Sequence, residues 1–244
     1  MEPKVCVVIP TYNNSGTISK VVEAALERCP DVYVVSDGAD APTLAAIDSF
    51  GDRIRKVAYT PNRGKGFALK TAFDKALSDG FDYAVTMDSD GQHFAEDIPA
   101  FMDSISRNAG ALIIGSRCLW AENMPVKHTF MNKFSNFWFS VMTLQSVPDT
   151  QTGFRAYPLQ RVPRPHTNRY EAELEMLVHS AWKGIKLIPM PIKVYYPPGK
   201  ERVSFYRYGK DTVRISAMYT VLFFAAIFYG WPSMLYHKLK GKRG

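Results

Sequence analysis

Over its first 115 residues the chain alternates two hydrophobic patterns. Short, unbroken apolar runs end at polar turns, as buried parallel strands do. Between them, apolar residues recur at helical spacing. Residues 5–10, 31–38, 55–60, 81–91 and 111–116 read as five strands. Residues 15–29, 41–50, 66–80 and 97–105 read as helices, the first with Ile18, Val21, Val22, Ala25 and Leu26 on one face. This alternation predicts an α/β fold, a mostly parallel sheet flanked by helices and joined by right-handed crossovers. In such sheets ligands bind beyond the carboxyl ends of the strands. The polar clusters stand in those places, after Ile9, Val35, Tyr59 and Met87.

After residue 117 the alternation lapses. Residues 128–147 read as a helix crowded with Phe130, Phe134, Phe137, Trp138 and Phe139. Residues 170–183 read as another, with Glu171, Glu173 and Glu175 in its first turns. Acidic residues there suit the helix dipole and read as a solvated start, although one could face a substrate. Prolines interrupt an apolar run at 186–198, which makes it a candidate edge strand.

Composition narrows the class. The 244 residues are 46% hydrophobic and 22% charged, a globular balance that excludes disorder over most of the chain. Three cysteines at irregular spacing fit neither a disulfide framework nor a zinc site, and they suit a reducing compartment. The charged start MEPKVCVVIP lacks the apolar core of a secretory leader, so the N-terminal part is expected in the cytoplasm. A net charge of +7 invites an anionic partner. A phosphorylated substrate and a membrane surface are the expected ones, and nucleic acid is not.

Two short motifs carry chemistry. Asp88-Ser89-Asp90 ends the fourth strand, and carboxylates at i and i+2 on such a turn can aim at one hard cation. Mg²⁺ takes one or two carboxylates and completes its shell with phosphate and water. Gln92 and His93 follow and could add a ligand or orient one. The bland alternative is a solvated Asp-Gly turn. Asn62-Arg63-Gly64-Lys65-Gly66 opens a helix after the third strand. Its glycines permit close approach, and a helix start offers N–H groups to an anion. It lacks both the Walker signature and the dinucleotide fingerprint. A cation site beside a phosphate cradle would hold a nucleoside diphosphate.

Taken in order, Ile9-Pro10-Thr11-Tyr12-Asn13, Asp37-Gly38, Asn62 to Gly66 with Ala68-Leu69-Lys70, Asp88 to His93, Gly115-Ser116-Arg117 and Asp149 to Arg155 resemble family 2 glycosyltransferases. Dolichyl-phosphate mannose synthases and bacterial polyprenyl-phosphate glycosyltransferases look most alike. The resemblance covers roughly residues 4–215. It implies a GT-A fold, a UDP- or GDP-sugar donor, Mg²⁺ or Mn²⁺, and inversion at the anomeric carbon. By the same resemblance Pro10, Tyr12 and Asp37 would hold the nucleoside, and Asn62, Lys65 and Gly66 would border the diphosphate. Asp88 and Asp90 would serve ribose and metal with Gln92 assisting. Arg117 and Arg155 would meet phosphate or acceptor, and Asp149 would face the acceptor. The chain departs from the family at Asn14, where Glu is usual, at Ser36, where Asp is usual, and over residues 118–127.

The acceptor decides the role of Asp149. A lipid phosphate, with a second pKa near about 6, is already anionic at neutral pH and needs no general base. A hydroxyl needs one, and Asp149 would be the candidate. The plainer reading has Asp149 cap a turn and pair with Arg155. Transfer to polyprenyl phosphate is the leading expectation, with a lipid hydroxyl second. Outside the family, a nucleotidyltransferase or a non-enzymatic membrane-surface protein remains open.

From Ile215 to Tyr236 the chain runs 22 residues without a charge, long enough to cross a bilayer, which takes about 20 apolar residues. Aromatic residues at its limits suit the interface. Arg202, Phe205, Tyr206, Arg207, Tyr208 and Lys210 precede it in an interfacial pattern, and Lys238, Lys240, Lys242 and Arg243 follow. Positive flanks at both ends favour a peripheral or monotopic helix on a cytoplasmic face. The expected division is a catalytic domain over 1–200 and a membrane-associating segment over 201–244, with a homo-oligomer possible.

Overall fold

A computed structural model describes residues 2–117, 126–195 and 209–241. Cys118, most of the divergent 118–127 stretch and the interfacial pattern at 202–208 lie outside the described residues, as do Lys242 and Arg243. Seven strands form one sheet: β1 (Val5–Thr11), β2 (Val32–Asp37), β3 (Arg55–Tyr59), β4 (Tyr83–Thr86), β5 (Leu112–Arg117), β6 (Arg155–Pro158) and β7 (Leu187–Ile192). Their order is β3-β2-β1-β4-β6-β5-β7. All neighbours run parallel except β6, which is antiparallel to both β4 and β5.

The five expected strands form. Residues 87–91 leave the sheet after Thr86, so the Asp88 turn sits at its rim. The proline-bearing β7 is an edge strand, where a missing N–H costs no ladder bond. Sequence reading missed β6. It begins at the last residue of a motif taken for chemistry, and four residues give periodicity nothing to register.

Helices α1 (Ile18–Leu26), α2 (Ala41–Asp48), α3 (Lys65–Ser78), α4 (Ile98–Arg107), α5 (Val126–Thr143) and α6 (Glu171–Trp182) flank the sheet. Two buried clusters, one on each side, make the core. Phe73, Phe139 and Tyr157 anchor one, and Ile9, Phe101 and Phe154 the other. Cys6 and Cys29 are free and buried.

The apolar C-terminal run is helical throughout, as α7 (Lys210–Ala225), a π-helical turn (Ala226–Gly230) and α8 (Trp231–Gly241). Its stretch Val213–Lys240 is long and apolar enough to cross a membrane. One face is docked on α5 and α6. Leu222 and Ala226 join the core, Gly230 lies flat against the Trp182 ring, and Ser233 donates to the Trp182 carbonyl at 2.8 Å. A Cβ on Gly230 would come within 2.4 Å of that ring, which only glycine avoids. The opposite face leaves Val221, Phe224, Phe228, Leu235 and Tyr236 exposed.

Candidate functional site

The carboxyl ends of β1, β2 and β4, with the start of α3, line one cleft. Of the expected residues, Pro10, Tyr12, Asp37, Asn62, Lys65, Asp88 and Asp90 line it. Asn14, Ser89, Arg169 and Tyr170 line it too and were not expected. Asn14 explains its departure from the family pattern. Its Nδ2 donates to Ser89 Oγ at 2.6 Å, and Thr17 Oγ1 donates to the Ser89 carbonyl at 2.6 Å, so the first turn pins the Asp88–Asp90 turn.

The loop before α3 is held differently from a simple phosphate cradle. Asp37 accepts from Asn62 Nδ2 at 2.9 Å, from the Arg63 amide at 2.7 Å and from the Gly64 amide at 2.8 Å. The Phe67 amide goes to the Asn168 carbonyl at 3.1 Å. Three backbone donors that the sequence offered to an anion are therefore committed within the protein. Arg63 stacks over Phe67 at 3.7 Å, and Lys65 brings the positive charge to the cleft. Gly66 also differs from expectation. A Cβ there would meet the Ala172 side chain at 2.3 Å and the Asn168 backbone at 2.9 Å, so its close approach is to the protein. Gly64, at φ +102°, needs its glycine for the same contact and for its backbone angle.

Lys65 is the charged centre of this cleft. Its Nζ lies 2.6 Å from Asp88 Oδ1 and 2.9 Å from Glu173 Oε2. Burial disfavours the ammonium, but the two carboxylates outweigh it and raise its pKa. The Asp88 carboxyl feels burial in the opposite sense, and Lys65 with His93 holds it below its ordinary value. Gly153 abuts this pair: a Cβ would stand 2.6 Å from Asp88 Oδ2 and 2.8 Å from Lys65 Nζ. Glu173 corrects the reading of a solvated helix start. It pairs with Lys65, while Glu171 and Glu175 are buried, Glu175 accepting from the amides of His166 and Thr167. The missed signal was spacing, since residues 171, 173 and 175 cannot all face solvent on a helix packed by α3, α5 and α7.

Asp90 accepts from the Gln92 amide at 3.0 Å, which closes the turn. His93 presents Nδ1 to the Asp88 amide at 3.4 Å, and burial pushes its pKa down to about 4, so the ring is neutral. Two carboxylates at the rim of a cleft that also holds a lysine suit a hard cation shared with a diphosphate. Among the described residues no group of three or more His, Cys, Asp or Glu gathers for a metal.

Asp149 and Arg117 form a second centre. Arg117 Nε lies 2.6 Å from Asp149 Oδ2 and Nη2 lies 3.0 Å from Oδ1. Oδ1 also accepts from Asn132 Nδ2 at 2.6 Å and from the Gln151 amide at 3.0 Å. The carboxylate is fully buried. Burial pushes its pKa up, but Arg117, the Gln151 amide and Asn132 outweigh it and hold it below the ordinary value. The turn aspartate thus pairs with Arg117 and not with Arg155. Arg155 is itself fully buried and donates to the carbonyls of Thr150 and Glu173, both at 2.8 Å. It joins the two centres from beneath and does not line the cleft.

Comparison with known proteins fits this layout. The family model described as glycosyl transferase family 2 matches residues 6–160. Polyprenol monophosphomannose synthase of Mycolicibacterium smegmatis is 31% identical over 160 residues, which span 62% of this chain and 60% of that protein. Undecaprenyl-phosphate mannosyltransferase of Micrococcus luteus is 25% identical over 87% of this chain and 93% of its own length. Among solved structures, glucosyl-3-phosphoglycerate synthase of Mycobacterium tuberculosis with UDP gives a TM-score of 0.65 at 16% identity, covering 92% of this chain and 80% of that one. The same enzyme with Mn²⁺, UDP-glucose and phosphoglyceric acid gives 0.63 at 15% identity, over 92% and 78%. These structural likenesses establish the GT-A fold. With the family model matching well over half the chain, this protein belongs to glycosyl transferase family 2.

Proposed function

We propose that this glycosyltransferase moves a sugar, with inversion, from a UDP- or GDP-sugar to a polyprenyl phosphate at the cytoplasmic face of a membrane. One observation carries the choice of acceptor. Every oxygen of Asp149 is already engaged by donors, and Arg117 and its other partners hold it ionised. A general base must have a lone pair within reach of the proton it takes. Asp149 is buried beneath its partners and is not built that way. That arrangement favours an acceptor that brings its own nucleophile, as a phosphate does. The names of the two relatives point to the same acceptor class.

In this reading a phosphate oxygen of the acceptor attacks the anomeric carbon from the face opposite the leaving group. The C1–O bond to the donor's diphosphate breaks, its electron pair goes to that oxygen, and no proton changes hands. Single displacement gives inversion. Pro10 and Tyr12 border the nucleoside, and Asp37 holds the loop that closes over it. Lys65 meets the diphosphate, exchanging part of its contact with Asp88 for phosphate oxygens. Arg117, aimed by Asp149, meets the acceptor phosphate. Arg155 fixes the backbone on which both centres rest. Asp88 and Asp90, with Gln92 assisting, would hold Mg²⁺ or Mn²⁺, which when bound would supply positive charge to the leaving diphosphate. The residues fit such an ion in being hard oxygen donors beside a phosphate-facing lysine.

The membrane part of the reading rests on how the apolar helix is docked. Contacts from Tyr219 to His237 fix it to the catalytic domain along about 27 Å, at 1.5 Å per residue. A helix attached over that length cannot cross a bilayer without drawing α5 and α6 into it. Lying in the interface, it would bury Phe224, Phe228 and Leu235 while Lys238 and Lys240 meet anionic headgroups. The test is to incubate the full chain with Mg²⁺ or Mn²⁺, a panel of UDP- and GDP-sugars and a polyprenyl phosphate. Mass spectrometry should find a glycosyl phospholipid, and products on lipid hydroxyls alone would refute the acceptor assignment.

A further inference from the structure

We propose that the Asn132, Ser135 and Asn136 face of α5, closed from behind by Tyr219 of α7, positions the Asp149–Arg117 pair for the acceptor. The apolar helix is then part of the active-site scaffold as well as an anchor. The inference rests on the reading of Asp149 and Arg117 as the acceptor side.

Residues 132, 135 and 136 stand at i, i+3 and i+4, so they share one face of a helix that is otherwise rich in aromatic residues. Asn132 and Ser135 are buried there, where a polar group is costly unless it is bonded. All three bond to consecutive residues of a single loop. Asn136 Nδ2 donates to the Pro148 carbonyl at 2.7 Å, and its Oδ1 accepts from the Thr150 amide at 3.0 Å. Asn132 Nδ2 holds Asp149 at 2.6 Å. Ser135 Oγ lies 2.7 Å from Thr150 Oγ1, which in turn lies 2.7 Å from Asn136 Oδ1.

The last link comes from outside the domain's own helices. Tyr219 OH donates to Ser135 Oγ at 2.7 Å. One direction of donation satisfies the whole chain: Tyr219 to Ser135, Ser135 to Thr150, Thr150 to the Asn136 oxygen. Each hydroxyl then gives its single proton once. The Tyr219 ring also packs edge-on to Phe134 at 5.8 Å, and Phe134 to Trp138 at 6.3 Å, so the phenol is seated within the aromatic layer between α5 and α7. Movement of α7 on α5 would therefore break the Tyr219–Ser135 bond, and Ser135 in turn holds Thr150, the residue next to Asp149. A pure anchor has no need of such a bond. An aromatic helix face with a buried polar stripe aimed at the Arg117-orienting carboxylate does.

The test separates scaffold from anchor by using a water-soluble, short-chain polyprenyl phosphate, whose capture needs no membrane. Full-length Tyr219→Phe should lose roughly threefold to tenfold in kcat, the equivalent of one lost hydrogen bond. KM for the donor and sedimentation with anionic vesicles should stay at wild-type values. Hydrogen exchange over residues 148–152 should accelerate by a similar factor, and more in Asn136→Ala, which loses the direct bond to the Thr150 amide. Peptides from α3 should exchange as in wild type. Wild-type exchange over 148–152 in both variants would overturn the proposal whether or not an acceptor is turned over. Wild-type kcat in both would do the same. Arg117→Ala tests the underlying reading separately: an unchanged KM for the acceptor would remove the acceptor assignment, while the exchange data would still decide the scaffold.

Discussion

The two centres of this site, proposed above as its donor side and its acceptor side, are assembled in opposite ways. The donor side is made of short contiguous stretches at the ends of β1, β2 and β4 and the start of α3, where an α/β sheet places its ligands. The acceptor side gathers single residues from distant points: Arg117 at the end of β5, Asn132 on α5, Asp149 before β6 and Tyr219 on α7. The charge state differs as well. On the donor side one lysine serves two carboxylates, an excess of negative charge that suits an added cation. On the acceptor side one carboxylate is shared among an arginine, an asparagine and an amide, which leaves it saturated. The first arrangement is open to exchange its partners, and the second is fixed.

The strongest way to break this contrast is to strip the donor side of its negative charge. Asp88→Asn with Asp90→Asn should reduce transfer by about 10³-fold or more, the scale of losing preorganised charge stabilisation at a leaving group. Circular dichroism should remain native, and product formation by mass spectrometry gives the rate. Turnover near wild type at saturating Mn²⁺ would mean that the turn is only structural.

Lys65 sharpens the comparison through stability. Lys65→Met leaves Asp88 and Glu173 facing each other without their shared cation, a defect worth about 3–5 kcal/mol for a buried pair. Adding Glu173→Gln should restore a good part of that loss, because one of the two stranded charges is removed. A double-mutant cycle by urea denaturation would measure the coupling. Strict additivity would show that the two residues touch without interacting.

How much of this was legible depended on where the information lay. The motifs that line the cleft could be read because each occupies neighbouring residues at a strand end, and the strands announced themselves as apolar runs. Glu173 could not be assigned, since three alternating glutamates look alike until α3 packs on α6 and selects one. β6 was hidden by its shortness. On α5 the density of Phe and Trp hid the polar stripe at 132, 135 and 136. The plainer reading of Asp149, as a turn aspartate paired with Arg155, gave it the wrong partner. Arg155 is six residues away in sequence, whereas Arg117 is brought to it by the β5–β6 pairing.

Gly66 provides a milder test, because its value lies in protein packing and not in ligand approach. Gly66→Ala would drive a Cβ to 2.3 Å from the Ala172 side chain and should cost about 1–3 kcal/mol, the usual range for overpacking. Gly16→Ala, where a Cβ meets nothing within 4 Å, should be neutral or slightly stabilising. Thermal melts of the two variants would compare them directly. Calorimetry with UDP or GDP should find nucleotide affinity in Gly66→Ala reduced only in proportion to its unfolding. A normal melt with abolished nucleotide binding would return Gly66 to the ligand.

The smallest shift is expected in the pH profile of the acceptor side, and it is the one that tells phosphate from hydroxyl. Arg117 and its fellow donors depress the folded pKa of Asp149, so the group is ionised well below neutrality. Its stabilising contribution is present above the unfolded carboxylate value of about 3.9 and is lost as pH falls through the lower folded value. Asp149 therefore has no titration to offer between pH 5 and 8. A limb there must come from the acceptor, whose second phosphate ionisation lies near about 6. Asp149→Asn should lower turnover by roughly tenfold, through looser aiming of Arg117, at the low end of what a lost positioning contact costs. The limb should stay where it was, within a few tenths of a pH unit. A base acting on a hydroxyl would behave otherwise: its loss costs up to about 10⁴-fold, and the limb goes with it. The rate of Asp149→Asn measured from pH 5 to 8 reads both quantities at once, and a vanished limb would move the nucleophile's proton back onto Asp149.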